Sequence, residues 1–304
     1  MTTAVQQKTI TPRDWGMLLL LGALWGGSFF FARIAVQEIH PLTLVLFRVA
    51  IAAAALQVYL AIVGPSFRLA LPMAVSFFGL AILNNIIPFT LMFAGQTELG
   101  AGAASILNAT TPFWTMLLAN MVTDDEKLSW NKVIGVLLGI AGAVVMIGPD
   151  IVPASGAPMW AKLALVGTAL SYAFAALYAR RFSKLPPQIV ATGQLTASTI
   201  IMLPVVLFWN GTTGMFDASL AAWLSVLGLA LLATSVGYIL FFVLIRSAGA
   251  TNASLVTLIV PVSAILLGAL FLGERMQWYE FCGMALIGFG LLIIDGRLVR
   301  RRQP

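Results

Sequence analysis

Charge is scarce in this chain. Only 9% of its 304 residues are Asp, Glu, Lys or Arg, against roughly 25% in an ordinary soluble domain, while 60% are hydrophobic and the mean hydropathy is +0.98. Such a chain cannot cover itself with polar surface, which excludes a soluble globular protein; a bilayer removes the difficulty, because lipid covers an apolar exterior. Cysteine is nearly absent as well. Cys282 stands alone, so no disulfide framework or thiolate metal centre is available, and its place in an apolar run suits a small buried residue. The single histidine, His40, precedes Pro41 in a short link. No HExxH, GxSxG or Walker pattern occurs, and paired carboxylates are missing from the apolar runs, so an intramembrane enzyme has nothing to work with. The sequence therefore assigns no catalytic residue, no metal ligand and no cofactor.

What the chain has is apolar length. Crossing about 30 Å of hydrocarbon takes about 20 residues of helix. Suitable runs lie near 15–37, 42–63, 69–93, 101–122, 131–148, 159–181, 188–209, 219–245, 250–272 and 277–294. The links carry breakers such as Gly64-Pro65, Gly148-Pro149, Pro186-Pro187 and Asn210-Gly211, and none could hold a soluble domain. The expected fold class is all-α integral membrane with ten transmembrane helices. The first run is read as a mature span after a polar tail, residues 1–14, because a signal peptide has a shorter apolar core and a small-residue cleavage site.

The net charge of +6 does not mark a nucleic-acid binder, since the basic residues sit in the gaps between runs and not on one solvated face. Placing the N-terminus in the cytoplasm leaves only Arg33, Arg48, Lys162 and Arg275 of the 17 basic residues on the far side. The positive-inside rule then puts both termini in the cytoplasm, with a basic tail at 295–304.

The runs also repeat. Trp15 and Gly22 recur as Trp160 and Gly167 at an offset of 145, and Ala101, Ala104, Ser105 and Pro112 recur as Ala250, Ala253, Ser254 and Pro261 at 149. Trp130, Gly135 and Gly142 recur as Trp278, Gly283 and Gly290 at 148. Matched tryptophans and prolines in the same order are harder to obtain by chance than matched alanines. Each half, 15–148 and 159–294, holds an odd number of spans, so the second enters the membrane from the opposite side. That is the inverted repeat on which many secondary transporters are built.

Particular stretches resemble the drug/metabolite transporter superfamily in its ten-helix EamA-type branch. They are LWGGSFF in the first span, PLTLVLFRVAIAA in the second, GAGAASILNATTPFWTMLLA in the fourth, and ASLVTLIVPVSAILLGALFLGERMQWYEFCGMALIGFGLLII across the last two. Within the branch the chain looks most like the bacterial aromatic amino-acid exporters. The resemblance implies efflux of small metabolites across the bacterial inner membrane by alternating access, with a small-molecule substrate and the lipid bilayer as its partners.

Helix breaks at matching places in two halves point to a transporter site. Pro112 aligns with Pro261, and Pro88 with Gly237. A proline frees a carbonyl one turn back, which then needs another donor. Close by lie Asn84, Asn85, Asn108 and Thr111 in the first half, and Thr234, Tyr238 and Thr257 in the second. Spans one and six add Trp25, Ser28, Phe29, Ser171 and Tyr172. These are the candidate substrate-binding residues of a cavity walled by spans one, three, four, six, eight and nine. The competing reading is structural: hydroxyls bond back to their own helix, and Asn ties helices together. Arg48, about 10 Å into span two, is read as a gate that snorkels outward or pairs with Glu38 or Glu98, in preference to a carboxylate anchor.

No carboxylate sits at the centre of a span, which favours uniport or exchange over proton coupling. A cavity without fixed charge suits a neutral amino acid, aromatic ones favoured, ahead of a phosphorylated solute; cationic drugs and nucleosides are the alternative cargo. A channel would want charged rings or a carbonyl filter. Gly22-x-x-x-Gly26 and Gly135-x-x-x-Gly139 point to close helix packing, in a monomer or a weak homodimer.

Overall fold

A computed structural model describes residues 10–62, 64–124, 126, 128–147, 156–211, 214–272 and 277–295. The charged residues Lys8, Asp125, Lys127, Asp150, Glu274, Arg275 and the basic run from Arg297 to Arg302 lie outside these. Among the described residues every regular element is helical. The helices are α1 (Pro12–Ala35), α2 (Pro41–Ile62), α3 (Phe67–Glu98), α4 (Ala101–Asn108 and Thr111–Val122) and α5 (Trp130–Ile147). Then come α6 (Met159–Ala179), α7 (Pro187–Trp209), α8 (Leu220–Ala248), α9 (Ala250–Ser254 and Val256–Leu272) and α10 (Trp278–Asp295).

Local chemistry sets the ends. Thr11 caps α1 through a reciprocal box, its hydroxyl accepting from the Asp14 N–H at 3.2 Å while the Asp14 carboxylate accepts from the Thr11 N–H at 2.9 Å. The other Asp14 oxygen takes the Ser247 hydroxyl at 2.6 Å, pinning the start of α1 to the end of α8. Gly249, at φ +92°, makes the turn into α9 that a side chain would strain.

The main helix contacts correspond when the two halves are exchanged. The contact of α1 with α9 maps onto that of α6 with α4, α1–α8 onto α6–α3, and α2–α8 onto α7–α3, while α2–α7 and α5–α10 map onto themselves. Glycines allow the closest approaches. A Cβ on Gly22 would lie 2.5 Å from Ile259 Cγ2, and one on Gly26 2.6 Å from Ser263 Cβ, both on α9. On α5, a Cβ at Gly135 would lie 2.5 Å from the Gly290 carbonyl oxygen of α10. Both glycine motifs are thus consumed by packing inside one chain. The outside is apolar: Val75 is 86% exposed and Phe208 88%, as lipid contact requires. Cys282 also faces outward on α10, not inward as its apolar setting suggested.

The breaks differ from their sequence pattern. In α3 and α8 the helix is not cut but widened, into π segments at Ile82–Ile86 and Gly228–Val236 that end just before Pro88 and Gly237. In α4 the break falls at Ala109-Thr110, and Pro112 sits in the first turn of the second piece, where a missing N–H costs nothing. In α9 the break is at Leu255, and Pro261 lies inside the following helix, so it does not mark the break. Helix α1 packs against this stretch through Gly26, next to the Val260 carbonyl and Ser263.

Candidate functional site

Next to the π segment of α3, and one turn beyond that of α8, lies a cavity of about 600 Å³ of empty space, its open mouth included. Helix α1 contributes Trp25, Ser28 and Phe29 to its wall, α3 contributes Asn84, Phe89 and Met92, and α4 contributes Asn108 and Thr111. From the second half come Tyr172 and Ala176 of α6, Tyr238 and Phe241 of α8, and Ser254, Val256, Thr257 and Val260 of α9. Helix α2, which the sequence did not place in the wall, adds Arg48.

Pro88 shows how sequence dictates this local shape. Lacking an N–H, it cannot donate to the Leu83 carbonyl five residues back, its acceptor in π winding, or to the Asn84 carbonyl four back, its acceptor in α winding. Ser171 Oγ donates to Leu83 O at 2.7 Å, and the Tyr238 hydroxyl lies 3.0 Å from Asn84 O. Tyr238 also donates to Asn85 Oδ1 at 2.6 Å. The two amides then reach α7, Asn84 Nδ2 donating to Gln194 Oε1 at 2.9 Å and Asn85 Nδ2 to Ser198 Oγ at 2.8 Å. Thus the π segment of α3 is held by three other helices.

On α8 the hydroxyls turn inward. Thr234 Oγ1 donates to Leu229 O at 2.7 Å and Ser235 Oγ to Ala230 O at 2.9 Å, each spanning five residues. Trp25 Nε1 donates to Ala233 O at 2.9 Å. Its ring needs Gly237 to be a glycine, because a Cβ there would stand 2.8 Å from Trp25 Nε1. Trp25 meets Phe241 at 5.3 Å between ring centroids and Tyr238 edge-on at 6.4 Å. These rings make the aromatic side of the cavity.

Arg48 corrects the sequence reading. It neither snorkels outward nor pairs with Glu38 or Glu98: its side chain is 3% exposed and forms no ion pair among the described residues. Glu38 is engaged elsewhere, accepting the Ser219 N–H and hydroxyl at 2.7 Å each. Arg48 Nε donates to Thr234 Oγ1 at 2.7 Å, and the guanidinium lies 3.8 Å above the Phe89 ring centre, with Phe93 at 5.7 Å. Stacking on rings offsets part of the cost of burying the cation. Its Nη1 is buried with no hydrogen-bond partner. The cavity therefore does hold one fixed charge, and the lining contains no carboxylate to balance it.

Residues 14–148 and 159–295 each match the family described as EamA-like transporters. The chain is a member of the EamA-like transporter family. The match covers well over half of the chain, and it makes the protein an all-helical membrane transporter. It is 28% identical to an Escherichia coli K12 protein named uncharacterized inner membrane transporter YedA, over 92% of this chain and 89% of that one. It is 26% identical to a Salmonella typhimurium protein named as a probable amino-acid metabolite efflux pump, over 96% of this chain and 98% of that one. A crystal structure at 19% identity shares the fold, with a TM-score of 0.74 over 95% of this chain and 98% of its own.

Within this EamA-like fold, nine expected residues face the cavity: Trp25, Ser28, Phe29, Asn84, Asn108, Thr111, Tyr172, Tyr238 and Thr257. Asn85, Ser171 and Thr234 stand behind it, bonded as described. Three lining hydroxyls also bond back to their own helices, Ser28 to Trp25 O, Thr111 to Asn108 O and Thr257 to Ser254 O, at 2.6–2.8 Å. Asn108 Oδ1, by contrast, is buried without a partner. Sequence reasoning missed Phe241, although it follows Tyr238 at helical spacing, and missed Gln194 and Ser198, a polar pair at i, i+4 on one face of an apolar span.

Proposed function

We propose that this EamA-like protein is a secondary transporter that exports small neutral metabolites, namely amino acids with aromatic ones favoured. It would act by alternating access in the bacterial inner membrane, with both termini in the cytoplasm. The supporting observation is the cavity itself, walled by corresponding helices of both halves, two of which, α3 and α8, carry π segments close to it. Two such segments give each half a place to bend, and inversion of one half relative to the other supplies the inward- and outward-open states from one architecture. The rings of Trp25, Phe29, Tyr172 and Phe241 suit an apolar or aromatic side chain. Arg48, a cation without a counter-charge in the lining, weighs against cationic drugs as cargo.

The test is uptake into liposomes carrying the purified protein, with labelled phenylalanine, tryptophan, threonine and alanine. Saturable uptake that speeds up with unlabelled substrate on the far side is expected, since only a carrier exchanges faster than it moves net solute. Uptake that neither saturates nor shows this acceleration would point to a channel. Transport of none of the four would remove the amino-acid assignment.

A further inference from the structure

Arg48 and Asn108 both line this cavity, and each carries a buried atom with no hydrogen-bond partner among the described residues: the donor Nη1 of Arg48 and the acceptor Oδ1 of Asn108. Their side chains are 3% and 4% exposed, so water does not satisfy them freely from outside. Several neighbouring polar groups are already occupied. Asn84 is bonded to Gln194, Tyr238 to Asn84 and Asn85, and Thr111 to its own helix. Leaving a buried donor or acceptor unmatched costs free energy, the more so when one is charged, and proteins keep such groups where a ligand completes them.

The pair constrains what that ligand is. A guanidinium fits a carboxylate through parallel N–H donors, and its Nε is already spent on Thr234 while Nη1 is open. A carbonyl-type acceptor such as Asn108 Oδ1 calls for a donor, which a bare carboxylate lacks. We infer that Arg48 and Asn108 form a clamp for a zwitterion, Arg48 holding the substrate carboxylate and Asn108 its ammonium. This rests on the amino-acid reading above and sharpens it, because it says which end of the solute goes where. A consequence follows for Arg48. Its counter-ion arrives with the cargo, so a solute without a carboxylate leaves the cation uncompensated in the cavity.

The measurement is calorimetric binding to the full-length protein in detergent with three probes of shared ring: L-phenylalanine, phenethylamine, which lacks the carboxylate, and 3-phenylpropionate, which lacks the ammonium. The wild-type protein is expected to bind phenylalanine best and phenethylamine on the order of a hundredfold more weakly, as loss of one partner of a buried charge pair implies. Arg48→Gln is expected to erase the preference for phenylalanine over phenethylamine, and Arg48→Lys to restore part of it. Asn108→Ala should leave that preference intact and remove the one for phenylalanine over 3-phenylpropionate. Phenethylamine binding as tightly as phenylalanine to the wild-type protein overturns the clamp and leaves the amino-acid reading standing. Failure of all three probes to bind overturns both. The wild-type comparison decides the matter even if Arg48→Gln does not fold.

Discussion

The π segments of α3 and α8 occupy matching places in the two halves, yet they are held in opposite ways. Around Ile82–Ile86 the side chains reach outward to α7 and α8, and the carbonyls freed by Pro88 are taken by α6 and α8. Around Gly228–Val236 the hydroxyls of Thr234 and Ser235 bond to their own backbone five residues back. The outside contacts there are the Trp25 indole, Arg48, and a longer one from Ser235 to Ala52 O at 3.4 Å. A segment tied to three helices is braced by all of them. One that is satisfied from within can change its winding with few other bonds broken. Pseudo-symmetric packing therefore does not make the halves mechanically equal, and the more self-contained hinge is the one joined to the buried cation.

The contrast is sharpest at Thr234, where Arg48 and the hinge share one oxygen. Thr234→Val removes the acceptor of a buried charged donor, and hydrogen bonds to charged groups are worth about 1.5–3 kcal/mol. The variant is expected to lose stability in that range and to lower the apparent melting temperature in detergent, while Thr234→Ser keeps it. Equal stability of the valine variant would mean that Arg48 finds other partners and that the two are not coupled.

Next in size is a pair of hydroxyl deletions that sets one hinge against the other. Tyr238→Phe leaves two buried acceptors on α3 without their outside donor and should cost about 1–3 kcal/mol. Ser235→Ala removes a back-bond on α8 whose loss the helix can absorb, and should cost under about 1 kcal/mol. If the two melt alike, the difference between outward and inward ties carries no energetic weight.

How far the sequence leads is visible in the same residues. The spans follow from apolar length, and Pro88 with Gly237 points to the right level of both hinges, because a missing N–H and a missing Cβ are local facts. That the helix would widen instead of breaking depends on Ser171 and Tyr238 arriving from other helices, which no local pattern encodes. Pro261 misleads as a mark of the break, because the helix runs on through it from Val256 to Leu272. Arg48 turns into the cavity where an outward course is expected, since direction around a helix that is apolar on all sides has no amphipathic pattern to reveal it. Ser28, Thr111 and Thr257 were legible as cavity residues, and their bonds to their own carbonyls were the ordinary expectation for hydroxyls in apolar helices.

The smallest expected effect lies outside the membrane, where Glu38 ties the α1–α2 link to the start of α8. The Ser219 N–H, and after it the Ser219 hydroxyl, hold the Glu38 carboxyl below its ordinary value of 4.5. A carboxylate depressed in the folded state stabilises above its unfolded value and loses that contribution as pH falls through the folded one. Glu38→Gln should therefore melt slightly below the wild-type protein near neutral pH, and the gap should close as pH drops below the usual carboxylate range. Because Glu38 is solvent-exposed, salt should narrow the gap as well. This contact anchors α8 next to its inward-bonded hinge. A gap that stays constant from neutral pH into acid would mean that the Ser219 bonds hold equally well to a protonated carboxyl, and no gap at any pH would mean that this end of α8 is fixed by packing alone.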